Sequence, residues 1–318
     1  MKKFIAILMV LCMAMSLTSF AAAEDAVNVY ALKGPTGIGL VKVMNDNDGA
    51  YNFTLAGAPE EVVAAVASGS ADIAAVPTNL AATLNVKTAG KVQLVALNTL
   101  GVLHILTSDP EIQTLADLEG KTIWATGQGS TPEYVLSYIL EANGLTDKVT
   151  VEYLAEHAEL ATQAASGMVD IAMLPEPNVT SVLTQNADFR IALDVTELFN
   201  QAAADKGENA VLSMGCVIVN KEWAANNADK LAAFMEAYAA SVEFVNTNVD
   251  EASQMVEAQG IIPKAAVARK AIPNCHIVFI TGEEMKSQIA PFFQVLYNAN
   301  PKSVGGELPG EDFYYIAK

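Results

Sequence analysis

Two short passages carry most of the side chains that could hold a ligand. "AVPTN" at 75–79 ends in Thr78 and Asn79, a hydroxyl and an amide, while "LPEPN" at 174–178 ends in Glu176 and Asn178, a carboxylate and an amide. A carboxylate between two prolines is held rigidly and suits accepting hydrogen bonds from an amine or a ring N–H. Two glycine-rich loops add to this set. "GQGSTPE" (127–133) presents Gly129, Ser130 and Thr131 just before a helical pattern. Free N–H groups and the helix dipole attract a carboxylate, sulfonate or similar anion there. "KGPTG" (33–37) offers Lys33, Thr36 and Gly37, but lacks the Gly-Lys-Ser/Thr ending of a phosphate-binding loop. Met214 and Gly215 in "LSMGCV" would touch a ligand through their backbone. Plainer readings stand beside these: Thr131 as a helix N-cap with Pro132 at the first helical position, Glu176 as an acid on an exposed turn, and Lys33 as a solvated charge.

Other chemistries find less support. His104, His157 and His276 stand far apart with no C-x-x-C pair, and a lone histidine is more often a packed structural residue than a ligand. No nucleophile elbow is present, and no cofactor is implied. The two arginines, Arg190 and Arg269, fall in no expected cleft loop, so a bidentate clamp on an anion is not provided for. This favours a neutral or mixed polar ligand, such as a heterocycle, over a plain sulfonate. The net charge of −18 repels phosphate backbones and anionic membranes, which argues against nucleic-acid binding.

The elements that must position these residues follow an α/β cadence. "AVNVYAL", "YNFTLAG", "ADIAAV" and "KVQLVAL" read as strands separated by helical patterns. "APEEVVAAVASG" opens with Pro59 and acids and stops at Gly69. A second unit repeats the order: a strand over 121–126, a helix with Val135, Tyr138, Ile139 and Ala142 at i, i+3, i+4 and i+7, then "KVTVEYL", "EHAELATQAASG" and "VDIAML". Both units call for mostly parallel sheets. "GVLHILTS" (101–108) and "VLSMGCVIVN" (211–220) bracket the second unit as strands crossing out of the first and back. The expected division is 24–106 with 213–318 for one domain and 107–212 for the other.

One passage occurs twice. "ASGSADIAAVP" (67–77) returns as "ASGMVDIAMLP" (165–175), shifted by 98 positions with seven of eleven letters identical. Each copy is a helix end, a Ser-Gly stop, an Asp-led strand and a proline at its carboxyl end. Ligands in open α/β sheets bind outside those ends, so "PTN" and "PEPN" form two lips that close on something between them.

The N-terminus reads as an export leader: "MKK", an apolar run too short for a membrane span, then small residues, with cleavage placed after Ala23. Cys12 follows Leu11 rather than a small residue and is read as part of the discarded run, not as a lipid attachment point. Cys216 and Cys275 remain; an even count in an oxidising compartment permits one disulfide, and two separate buried thiols are the alternative.

With these residues in view, the chain resembles the substrate-binding proteins of ABC importers, in the branch handling sulfonates, nitrate, taurine and thiamine-pyrimidine precursors. The resemblance is carried by the leader, the two repeated passages, "LADLEGKTIWATGQGSTPEYVLSYILEANGL" and "VNKEWAANNADKLAAFMEAYAAS", in that family's order over nearly the whole mature chain. It implies a two-lobed type II periplasmic-binding-protein fold and hinge closure on one small molecule. It also implies permease and ATPase subunits as partners, a monomer, and a place in the periplasm or on the outer face of the cell membrane. A fold-related enzyme of pyrimidine or chorismate-derived metabolism and a sensory receptor ectodomain are the alternatives. On this reading Asn79→Ala or Glu176→Ala weakens binding with little loss of stability.

Overall fold

The computed structural model describes residues 26–316. The export leader, the Ala23 cleavage point and Cys12 lie outside them. No described helix is long and apolar enough to cross a membrane.

The chain opens with β1 (Val27–Leu32), two short helices, α1 (Pro35–Ile38) and α2 (Val41–Asn45), and β2 (Tyr51–Ala56). Next come α3 (Pro59–Ser68), β3 (Ile73–Pro77), α4 (Thr78–Lys87) and β4 (Val92–Leu100). Local chemistry sets these boundaries as the sequence suggests. Pro59 sits in the first turn of α3, Glu60 and Glu61 face its N-terminal dipole, and Gly69 ends it in the left-handed conformation at φ 77°.

The chain then enters a second sheet. β5 (Leu103–Thr107), β6 (Thr122–Thr126), α5 (Thr131–Ala142), β7 (Thr150–Leu154), α6 (His157–Ala165), β8 (Ile171–Pro175), α7 (Asn178–Gln185), β9 (Arg190–Asp194) and α8 (Val195–Asp205) build it. β10 (Ser213–Asn220) returns to the first sheet. α9 (Lys221–Asn226), α10 (Ala228–Thr247), α11 (Val249–Ala258), α12 (Ala265–Ala271), β11 (Ile277–Ile280) and α13 (Gly282–Ala299) complete the fold.

The sheets are ordered β2-β1-β3-β10-β4-β11 and β7-β6-β8-β5-β9. Laid side by side, β1 matches β6, β2 matches β7, β3 matches β8, β10 matches β5 and β4 matches β9. The repeated passage therefore records two copies of one arrangement, with each fourth strand delivered by the chain after it has crossed from the other sheet. That delivery makes both sheets mixed while leaving the expected parallel majority, β1–β4 running one way in the first and β6–β9 in the second. β1, β2 and β3 run parallel, as do β6, β7 and β8, but β10 and β5 arrive from the opposite direction and pair antiparallel with β3 and β8.

An apolar cluster runs unbroken between the sheets, from Val76, Leu94 and Ile218 to Ile105, Ile123 and Val135. Its bridge includes Phe199 of α8 against Phe292 of α13, with ring centroids 5.5 Å apart and nearly perpendicular.

One open alternative is decided and one expectation is corrected. Cys216 and Cys275 are both free and buried. Cys216 packs in the cluster just described, whereas Cys275 packs in another with Val217, Val219 and Phe234. Alternation along β10 sends Cys216 and Val217 to opposite faces, so the two thiols belong to different cores. Burial pushes both thiols well above their ordinary range, the Thr78 hydroxyl partly opposing this at Cys216. The N-cap of α5 is Ser130, not Thr131; Pro132 then falls at the second helical position, and Thr131 is buried as the first. Even so, the Ser130 hydroxyl donates to Gly127 O (2.6 Å) and does not cap the helix.

Candidate ligand cleft

The register of the crossing strands places the two lips. Gly215 pairs with Pro77 on one side and with Thr99 on the other, while Leu103 pairs with Pro175. Only Leu100, Gly101 and Val102 separate Thr99 from Leu103, and Glu176 N donates to Val102 O at 2.9 Å. Both proline-ended strands therefore abut the crossing, one from each lobe.

On the first lobe, residues from four elements gather around the end of β4. Asn98 Nδ2 donates to Thr36 O at 3.0 Å, and the Thr99 hydroxyl donates to Pro35 O at 3.5 Å. A Cβ on Gly37 would stand 2.6 Å from Leu32 O, so only glycine lets α1 fold back onto the strand it leaves. Thr78 is buried, its hydroxyl 3.0 Å from that of Ser213. Ser213 Oγ in turn lies 3.3 Å from Thr99 O and 3.2 Å from Gly215 O. Asn79 is half-buried; its carbonyl accepts from the Thr83 hydroxyl at 3.2 Å, while its amide has no bond to a described residue. Met214 is half-buried and packs against the clusters on both faces of the sheet. Thr36, Gly37, Thr78, Met214 and Gly215 are thus brought together with Asn79 at the rim, and Lys33 points into solvent. Asn98, Thr99 and Ser213 were missed. Their one signal is a polar pair ending an otherwise apolar strand, "VQLVALNTL".

On the second lobe the loop 127–131 is internally committed. Gly129 N donates to Glu133 Oε2 at 2.5 Å, and Tyr134 Oη donates to Gly129 O at 2.8 Å. The amide expected to greet an anion already holds a carboxylate from its own helix. Ser130 is half-buried at the cap position. His157, which the sequence reading set aside, opens α6 beside this loop. Its Nδ1 lies 2.6 Å from the hydroxyl of Thr126, the last residue of β6. The residue is exposed, yet partial desolvation of the ring holds its imidazole below the ordinary histidine value, with Glu156 opposing.

Glu176 is not an acid on an exposed turn. It is 2% exposed, and its carboxylate accepts from Thr180 N (3.1 Å), Thr180 Oγ1 (3.0 Å) and Asn274 Nδ2 (3.0 Å). Asn274 comes from the returning segment, so Glu176 fastens one lobe to the other. Desolvation pushes its carboxyl up and the three donors pull it back. Asn178, half-buried at the first position of α7, keeps an amide with no bond to a described residue.

Neither guanidinium reaches the cleft. Arg190 Nη2 donates to Asp109 O (3.0 Å) and Ile112 O (2.6 Å), and Arg269 pairs with Asp250 at the surface (2.6 Å). Among the described residues, no group of three or more His, Cys, Asp or Glu side chains could hold a metal ion. A hollow of about 860 Å³ lies between α5 and α13, lined by Glu133, Tyr138, Glu141, Lys206 and Glu208. It touches the candidate loop only at Gly129, and none of Thr36, Thr78, Asn79, Asn178 or Met214 lines it.

The model of the NMT1/THI5-like family matches residues 53–252, a span that includes both lips and the second sheet. The chain belongs to the NMT1/THI5-like family. Solved structures repeat the two-lobed architecture around this NMT1/THI5-like sequence. An ABC transporter protein from Parabacteroides distasonis superposes with a TM-score of 0.79 at 22% identity, covering 92% of this chain and all of that one. The periplasmic aliphatic sulphonate-binding protein SsuA of Escherichia coli gives 0.69 at 16% identity over 92% of this chain and 93% of its own. The periplasmic nitrate-binding protein NrtA of Synechocystis gives 0.52 at 12% identity over 82% and 74%. No curated protein matches the chain.

Proposed function

We propose that this NMT1/THI5-like protein is the exported solute receptor of an ABC importer, closing its two lobes on a small molecule and presenting it to a membrane permease with its ATPase. The observation that carries this reading is the placement of two proline-ended lips on either side of one crossing. A rotation about Leu100–Leu103 and the 206–212 segment changes the distance between Asn79 and Asn178 while leaving both sheets intact. The chain passes between the sheets at those two segments, so the first boundary of the lobes is taken ahead of β5, near residue 101 and not at the expected 106: 24–101 with 213–318 form one lobe and 102–212 the other. The structural likeness to SsuA, NrtA and the Parabacteroides protein supports the receptor reading and export. It acts as a monomer and assigns no catalysis to the cleft.

The ligand is neutral or of mixed polarity. Gly129 N is occupied by Glu133, and both arginines are engaged elsewhere, so little is left to compensate a sulfonate or nitrate. The free amides of Asn79 and Asn178 offer a donor and an acceptor from each lobe.

A thermal-shift screen of residues 24–318 tests this, using alkanesulfonates, nitrate, aromatic carboxylates, aminopyrimidines, flavins and purines. A ligand present at a hundredfold its Kd adds roughly 2.7 kcal/mol to the native state and raises the melting temperature accordingly. The expected hit is an uncharged compound whose shift disappears in Asn79→Ala and Asn178→Ala. A shift retained in both variants would sink the placement of the cleft.

A further inference from the structure

His276 and Asp194 face each other across the lobes at the point where the chain crosses. His276 follows the 3-10 turn Ile272–Asn274 and belongs to the returning segment, with φ at 45°. It is tied to the crossing twice: its carbonyl accepts from Leu100 N at 3.1 Å, and its Nδ1–H donates to Gly101 O at 2.5 Å. A carbonyl can only accept, so the proton on Nδ1 is fixed, and Nε2 of the neutral ring is a bare lone pair. That lone pair stands 3.7 Å from Asp194 Oδ2.

His104 repeats the arrangement from the other lobe. Its Nε2–H donates to Asn274 O at 3.4 Å, and its Nδ1, buried without a hydrogen-bond partner, lies 4.0 Å from the same Asp194 Oδ2. The two rings are 6.4 Å apart. Asp194 divides its work, because Oδ1 caps α8 through Thr196 N (2.7 Å) and Glu197 N (3.3 Å). One carboxylate oxygen thus faces two imidazole nitrogens, and in the neutral state neither can donate to it.

We propose that a proton taken up by His276 turns Nε2 into a donor to Asp194 and locks the lobes in the arrangement seen here, making lobe movement pH-dependent. The proton belongs on His276, whose side chain is 33% exposed, and not on His104, which is 3% exposed and whose charge burial opposes. A cation on one ring also disfavours a cation on the other. The remaining groups facing the cluster are Glu197 on the first turn of α8, Glu176 beyond Asn274, and the buried Cys275 thiol. Glu197 and Glu176 add negative potential, while the α8 N-terminus adds positive. The crossing is packed tightly enough to transmit the change, since a Cβ on Gly101 would lie 1.9 Å from Thr196 Oγ1. The lobe movement is independent of the receptor reading; only its effect on ligand capture rests on it.

The test is a spin-label distance between Glu60→Cys on one lobe and Asp147→Cys on the other, ligand-free, at about pH 5 and about pH 8, the range in which histidine changes charge. The buried native thiols stay unlabelled, which intact mass verifies. The distance of this structure should be populated about threefold or more at the lower pH relative to the higher, a ratio within reach of one charge-assisted hydrogen bond. His276→Asn, which tolerates the positive φ, and Asp194→Asn, which keeps the helix cap, should each flatten that dependence. Equal populations at both pH values, or variants that keep the wild-type dependence, overturn the proposal. Imidazole nitrogen shifts in the unmutated protein give a second readout. A distance change that occurs while His276 Nε2 stays unprotonated overturns it as well. The distance is read without ligand, so it stands whatever the screen returns; an empty screen points to a ligand class outside the panel.

Discussion

Gly215 and Asn98 approach so closely that no side chain fits between them. A Cβ at position 215 would stand 2.6 Å from Asn98 Oδ1 and 3.0 Å from Thr99 Cβ. Asn98 in turn holds Thr36 through its amide, so Gly215 sets how far the first lip can fold over the crossing. Gly215→Ala should cost about 1–3 kcal/mol by overpacking and weaken ligand binding beyond that loss. Chemical denaturation beside titration calorimetry measures both, and unchanged binding would place Thr36 outside the ligand's reach.

Glu176→Ala strands three donors, Thr180 N, Thr180 Oγ1 and Asn274 Nδ2. From the sequence alone, a loss of binding with little loss of stability is expected. The buried geometry predicts a stability loss of about 1–3 kcal/mol for the unpaired groups. The pH dependence has a defined sign. A carboxyl raised by burial binds its proton more readily folded than unfolded, so its contribution is complete at acid pH and declines as pH rises through the raised value. Glu176→Gln should remove that decline in a urea-midpoint series against pH.

Histidines act in the opposite direction. Burial lowers the pKa of His104, and partial desolvation lowers that of the exposed His157, so the unfolded chain binds protons more readily than the native chain. Stability should fall as pH drops below about 6.5, where unperturbed histidine begins to charge. His157→Asn should shrink that acid-side slope without moving the lobe distance. A slope identical to wild type would mean that His157 keeps its proton equilibrium on folding.

Cys216 and Cys275 are buried, free and in different cores. A thiol reagent should find no reactive cysteine in the folded mature protein and two after unfolding. Reductant should leave the melting temperature unchanged. A reductant-dependent drop of several degrees would indicate a disulfide, since such a bond contributes about 2–4 kcal/mol.

Glu133 occupies the amide that an anion would use. Glu133→Gln should strengthen binding of alkanesulfonates or nitrate by about tenfold, as removing one like charge from the loop permits. Affinity for an uncharged ligand should hardly move. Titration of both ligand classes against the variant separates these outcomes, and equal anion affinity in both proteins would leave Glu133 without a part in selection.

The sequence by itself determined what is local. A Ser-Gly helix stop, an Asp-led strand and a strand-final proline are decided by backbone preferences within a few residues, so the copy at an offset of 98 located β3, β8 and both lips in advance. The two lobes, and a helix beginning within one residue of the expected Pro132, were legible for the same reason. The tertiary structure alone decided which distant residues complete the site. Asn98 meets Thr36 across 62 positions, Asn274 meets Glu176 across 98, and His276 meets Gly101 across 175. No periodicity encodes those meetings, because the chain's crossing and return create them. The same crossing set one antiparallel strand, β10 or β5, inside each mostly parallel sheet and sent Cys216 and Cys275 to opposite faces. It also converted Glu176 from a free lip carboxylate into a buried fastening between lobes, since a side chain's partners follow from packing and not from its neighbours in sequence.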